Sequence, residues 1–232
     1  RLHRGTGDAL LKKAVRVGAK GSGMPQFFND EAIIAELEKL GISHQDAMDY
    51  AIVGCVELTT QGNNLGWSDA AMFNLNKVLE LTLHHGRCLL TNQQLGPDLG
   101  GLDTYESYEE LESAFDAMID HFLQRMIPAC EEVEKAHIDI LPSPFLSSVI
   151  DDCMEQGMDV TRGGAHYNLS GIQMIQVANL ADSLAAIKAL VYDRKSGTGE
   201  ALTYALEPNF AQDEMLRQRL LNHVGKYGND VE

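Results

Sequence analysis

Basic residues are scarce in this chain. Its 18 lysines and arginines are set against 34 aspartates and glutamates, a formal net charge of −16, and nucleic acid or an anionic membrane surface as main partner would call for a basic face instead. Solubility is the plain role of this acidity. No apolar run approaches the roughly 18 residues that a membrane-crossing helix needs. Cysteine is sparse and spread out, at Cys55, Cys88, Cys130 and Cys153, with no C-x-x-C pair and no secretory leader. Free thiols in a reducing, cytoplasmic compartment are therefore expected. Repeats, low-complexity tracts and a clear domain linker are also missing, so one helix-rich unit is the simplest expectation. There is no initiator methionine, and the chain reads as a piece of a longer polypeptide. What is present, 44% apolar and 22% charged residues, is ordinary for a globular protein.

Helical patterns dominate. Leu10, Leu11, Ala14 and Val15 give a modest helix that stops near Gly18. Asn29 can cap a helix whose first turn carries Asp30 and Glu31 and whose apolar face is Ile33, Ile34, Leu37 and Leu40, ended by Gly41. A short helix from about Ser43 to Met48 follows. After Glu57, the segment LTTQGNNLGWS reads as an ordered loop, with Ser68 capping a helix striped by Met72, Leu75, Val78, Leu79 and Leu83. His84 and His85 lie in its last turn. Neighbours on a helix diverge by about 100°, and no third ligand is suitably spaced, so no metal site is expected. Ser107 to Glu110 has capping-box form before a long stripe of Tyr108, Leu111, Phe115, Met118, Phe122 and Met126, in which Pro128 should bend or interrupt the helix. LPSPFLSS should be extended. The Gly163-Gly164 pair lets the backbone approach something bulky, as packing or as a pocket wall. Helix is expected from Ile172 to Tyr192, buried through Leu180, Leu184, Ile187 and Val191, and two short helices close the chain.

The stretch from Tyr50 to Asp69 carries the chemistry. Ala51 to Val53 is an apolar run too short for a helix, and Gly54 suits a turn, which would present Cys55 at a strand end. In extended backbone, residues two apart point the same way, so Cys55 and Glu57 would face one pocket. Three roles are open to the thiol. It can be a small buried hydrophobe. It can be a nucleophile with His166 or another histidine as base, although no local signature brings them together. Or Cys55 can abstract a hydrogen atom while Glu57 removes a proton from the radical formed, so that a neighbouring group leaves from the deprotonated ketyl.

Six collinear motifs resemble one family. They are G-x-G-x-P-x-F-x-N-D at 21–30, Y-A-I-V-G-C-V-E at 50–57, G-W-S-D-A-A at 66–71, G-G-A-H-Y-N at 163–168, A-D-S-L-A-A-I-K at 181–188 and K-Y-G-N-D at 226–230. Together they resemble the glycyl radical enzymes of the pyruvate formate-lyase superfamily, in its dehydratase-like G-C-V-E branch. The resemblance implies an α/β fold in which residues 1–232 form a helix-rich part of a ten-stranded barrel, with the active-site cysteine on a loop inside it. It implies that Cys55 becomes the thiyl radical, that Glu57 is the general base and that Asp69 contacts a substrate hydroxyl or its histidine partner. The plain alternative for Asp69 is a first-turn carboxylate favourable to a helix dipole. A small-molecule substrate, a homodimer and a radical activating enzyme dependent on S-adenosylmethionine and an iron–sulfur cluster are further implications. No cofactor is expected to be bound by the chain itself.

Departures narrow the reading. Glycerol and choline members usually carry proline where this chain has Leu58, and histidine where it has Ser68, which leaves the substrate open. Val56 follows Cys55 in place of a second cysteine, which argues against acetyl transfer to coenzyme A. Elimination of a C–O, C–N or C–S group next to a hydroxyl remains, with aryl acetate decarboxylation as a further family option and a non-catalytic helical interaction module as the reading from another class. The C-terminal glycyl radical motif is not among these residues, and Gly228 is not its glycine. The 232 residues alone are accordingly expected to be inert and to lack the rest of a closed barrel.

Overall fold

The computed structural model describes residues 1–195, 197–222 and 224–229, without the Ser22 side chain. The last residue of the KYGND motif, Asp230, lies outside the described residues. The chain is mixed α/β. Helices α1 (Asp8–Val17), α2 (Asp30–Lys39) and α3 (His44–Met48) precede a hairpin of β1 (Ala51–Val53) and β2 (Glu57–Thr59). Strand β3 (Asn64–Asn74) leads into α4 (Leu75–Leu83), and the long α5 (Tyr108–Ile140) is followed by the short α6 (Pro144–Ser147) and α7 (Cys153–Gln156). Strand β4 (Tyr167–Ile175), which pairs with β3, precedes α8 (Val177–Ile187), α9 (Gly199–Leu206) and α10 (Glu214–Asn222). Among the described residues, no helix is long and apolar enough to cross a membrane.

Several expected features are present. Asn29 caps α2 by accepting the Glu31 N–H, and Ser43 caps α3 by accepting that of Asp46. Four others differ. Helix α4 begins at Leu75 under an Asn74 cap, so Ser68, Asp69 and Met72 lie in β3 rather than in a helix. Asp69 is consequently no first-turn carboxylate. The segment expected to be helical from Ile172 is strand as far as Ile175, and Gln176, in the left-handed region at φ 69°, turns the chain into α8. Gly171 explains part of this: a β-carbon there would stand 2.8 Å from the Ser68 carbonyl oxygen, so glycine permits the approach to β3. Of the two effects expected of Pro128, a bend or an interruption, the second does not occur: α5 continues through it. Pro128 has no N–H to give the Gln124 carbonyl, and both residues are exposed. In LPSPFLSS, Pro144 starts α6 at the first-turn position, where its missing N–H costs nothing.

The residues divide into two compact units, each built from two chain segments: Arg1–Ala70 with Val133–Ile172, and Ala71–Glu132 with Gln173–Glu232. In the first, Leu37, Ile42, Ala47 and Tyr50 form a core packed by Ile52, Leu58, Tyr167 and Leu169. A smaller cluster of Cys153, Val160 and Ala165 sits against Leu65 and Ile150. Gly164 belongs to it by packing, since a β-carbon there would collide with the Met158 carbonyl. In the second unit, the α4 stripe of Leu75, Val78, Leu79 and Leu83 meets Leu111, Phe115 and Met118 of α5 and Ile187 of α8. Leu111 and Met118 are completely buried, and removal of such side chains from water stabilises by about 1.5–3 kcal/mol each. His84 Nδ1 bonds the Glu80 carbonyl, while the His85 ring lies between Asp98 and Asp103.

Candidate active site

The first unit carries the hairpin that presents Cys55. Val53 pairs with Glu57 across it, which leaves Gly54, Cys55 and Val56 as a three-residue turn. Gly54 has φ 59°, a conformation that suits glycine. The geometry corrects one expectation: Cys55 does not lie in extended backbone with Glu57 two places along the same face, because the chain reverses between them. The carboxylate comes to the cysteine by another route. Glu57 Oε2 accepts the Cys55 N–H at 2.7 Å and the Val56 N–H at 2.9 Å, closing the turn over itself. A β-carbon on Gly54 would stand 2.7 Å from that same oxygen. Glycine is thus required twice, for its backbone angle and for the space the carboxylate takes. The Cys55 thiol is free and exposed at the tip.

The roots of the hairpin are fastened. Tyr50, directly before β1, is 1% exposed and its hydroxyl donates to Asp30 Oδ1 at 2.7 Å. Arg1 donates to both Asp30 oxygens, at 2.8 and 3.1 Å, and to the carbonyls of Tyr50 and Met48, each at 3.0 Å. Its guanidinium lies 3.8 Å from the Tyr50 ring centroid. On the β2 side, Gln61 Nε2 donates to the Asp49 carbonyl at 2.9 Å. The hydrogen bond from Arg1 holds the Asp30 carboxyl below the usual carboxylate range, and burial, followed by Asp30, pushes the Tyr50 phenol up to about 12. A second set of bonds joins α3 to β4: the Tyr167 hydroxyl donates to Asp46 Oδ2 at 2.8 Å and accepts the Ser43 N–H at 3.0 Å. These side chains escaped sequence reasoning. Asp30 reads as a helix-first-turn acid, and its place in the N-D motif is the only local hint of a further role.

The other sequence candidates sit on other elements of the first unit. Asp69 is exposed on β3, a different element of the same unit. His166 Nδ1 pairs with Asp152 Oδ2 at 2.7 Å, and its ring meets that of Tyr167 edge-on at 4.5 Å. It is engaged there rather than with the thiol, which leaves the nucleophile-and-base reading of Cys55 without geometric support. The described residues hold no group of three or more His, Cys, Asp or Glu side chains able to bind a metal ion.

A family model described as pyruvate formate lyase-like matches residues 1–232. The chain is 39% identical over 232 residues to (2S)-3-sulfopropanediol dehydratase of Klebsiella oxytoca, covering 99% of this chain and 28% of that protein. Two solved structures are similar to it. The glycerol-bound B12-independent glycerol dehydratase from Clostridium butyricum superposes with a TM-score of 0.85 at 37% identity, over 100% of this chain and 29% of that one. The hydroxyproline dehydratase from Clostridioides difficile, with trans-4-hydroxy-L-proline bound, gives a TM-score of 0.87 at 35% identity, over 99% and 29%. The chain therefore spans less than a third of the length of these relatives. With the family match running from the first residue to the last and the backbone shared with two dehydratases, the chain belongs to the pyruvate formate lyase-like family of glycyl radical enzymes.

Proposed function

We propose that these residues are a continuous segment of the ten-stranded barrel domain of a glycyl radical lyase, with Cys55 reaching into the barrel. The observation that carries the reading is the hairpin tip: an exposed, free thiol with the Glu57 carboxylate bonded to its own amide, in a chain of this family. A glycyl radical, installed by an S-adenosylmethionine and iron–sulfur dependent activase on a residue outside this chain, would supply the oxidising equivalent to the Cys55 sulfur. The exposed sulfur fits that need, because another segment can reach it.

From there the chemistry belongs to this chain and its substrate. Cys55, as thiyl, takes the hydrogen atom from a carbon bearing a hydroxyl. Glu57 takes the hydroxyl proton, and the ketyl so formed expels the group on the adjacent carbon. The product radical then recovers a hydrogen atom from the Cys55 thiol, which restores the thiyl. Asp69 contacts a substrate hydroxyl. Water is the favoured leaving group, the departing hydroxide taking back the proton that Glu57 removed, in line with the dehydratase names of the relatives, and C–N or C–S elimination would follow the same electron flow. The substrate is a small hydroxylated molecule and the parent enzyme a homodimer of an anoxic cytoplasm.

Anaerobic activation of the full-length protein, followed by spin-resonance measurement and a screen of small diols and amino alcohols, tests the reading. A glycyl radical with turnover that disappears in Cys55→Ser is the expected result. Turnover that survives that substitution rules it out.

A further inference from the structure

We infer that Tyr50, Asp30 and Arg1 are positioning residues that hold the Cys55 hairpin at the place from which its sulfur can take hydrogen. This rests on the lyase reading above and deepens it.

A buried aromatic at the mouth of β1 needs only its ring, and phenylalanine would fill that space. Here the Tyr50 hydroxyl is spent on Asp30, at 2.7 Å, and the Asp30 carboxylate is gripped through both oxygens by Arg1. Arg1 then returns to the backbone, donating to the carbonyls of Met48 and Tyr50 while its plane covers the Tyr50 ring. One guanidinium thus ties the side chain and the main chain at a single point, the root of β1. The Gln61 amide does the same at the root of β2 by bonding the Asp49 carbonyl.

Between root and tip lie only three paired positions, Ala51 with Thr59, Ile52 with Leu58 and Val53 with Glu57. So short a ladder transmits any tilt at its base directly to the turn. Hydrogen transfer needs reacting atoms about 3–3.5 Å apart, and a misplacement of about 1 Å can cost about 100-fold in rate. The charges of the network also stay constant through neutral pH. Asp30 is held low by Arg1, and the Tyr50 phenol is held near 12 by burial and by Asp30.

The test uses the full-length protein, activated anaerobically, as wild type, Tyr50→Phe and Asp30→Asn, with Cys55→Ser as control. Glycyl radical per protomer, thermal midpoint, kcat and KM are read for each. Tyr50→Phe and Asp30→Asn are expected to keep the radical yield and to melt within a few degrees of wild type. Their kcat should fall about 10- to 100-fold, KM should change by less than about threefold, and the loss in kcat should be the same at every pH across the neutral range. Tyr50→Phe is the milder change and keeps the test decisive if Asp30→Asn folds poorly. Wild-type kcat in both variants overturns the inference. So does a loss of kcat that merely follows loss of folded protein or of radical, since that would be a structural role. Turnover in Cys55→Ser is the separate result that removes the lyase reading itself.

Discussion

Glu57 reaches Cys55 through the backbone: its Oε2 lies 2.7 Å from the cysteine's amide nitrogen. The bond divides two roles that a single substitution can separate. In Glu57→Gln the amide oxygen can still accept the two N–H groups, so the turn should keep its shape while the proposed base is lost. Turnover should drop by about 100-fold or more with radical yield unchanged. A matched loss of both, measured by spin resonance and steady-state assay, would mean that Glu57 is structural.

Gly54→Ala probes the same turn from its other side. The added β-carbon meets Glu57 Oε2 and occupies a left-handed conformation, at a cost of about 1–2 kcal/mol. The melting midpoint should fall by a few degrees, and kcat should fall further than that loss of stability explains, because the carboxylate is displaced. A variant with wild-type kcat would show that the carboxylate need not rest on the turn.

The second unit stands on its helix interface. Leu111→Ala removes a completely buried side chain from the α5 stripe and should destabilise the full-length protein by about 2–5 kcal/mol. Denaturant titration reads this directly, and Phe145→Ala, which is 84% exposed here, serves as the comparison.

Acid and base act on different groups. Burial opposes ionisation of Asp159, but the Thr161 hydroxyl and amide, the Ser143 amide and the Ser147 hydroxyl outweigh it and hold the carboxyl at about 2, from an ordinary 3.8. A carboxylate lowered in the folded state adds stability that is complete above the ordinary value and is lost as pH falls towards about 2. Burial likewise opposes protonation of His85, yet Asp98 and Asp103 raise it above 6.5. Its contribution is complete below 6.5 and fades as pH rises through the folded-state value. Thermal midpoints measured against pH should therefore lose their acid limb in part in Asp159→Asn and their slope above pH 6.5 in His85→Gln. Unchanged slopes would show that these contacts are energetically idle.

The 232 residues alone should be inert. Expressed by itself and exposed to the activating system, the chain should give no turnover and no glycyl radical, because the radical-bearing segment is expected to lie elsewhere. Turnover by the isolated chain would contradict this outright.

The sequence was most legible where one residue type sets local geometry. Asn29 and Ser43 mark helix starts because their side chains replace missing backbone partners. The apolar stripe of α5 fixed its buried face. Strand β3 was hidden because Asn, Gly, Ser and Asp are poor strand formers, and its stability depends on pairing with distant β4. The two units left no linker signature because each is assembled from separated segments. At the site, the Cys55 and Glu57 spacing indicated proximity, but the reversal at Gly54 decided how they meet. The link from Asp30 to Tyr50 was invisible, since no periodicity joins residues brought together only by folding.

The shortness of the β1–β2 stem has a kinetic meaning. Three paired residues give a reach of about 10 Å, and the stem is rooted by Arg1 on one side and by Gln61 on the other. A short stem anchored on both sides makes the sulfur, in the proposed reaction, a port rather than a moving arm. The group that exchanges hydrogen with the sulfur in that proposed reaction would then travel to that point.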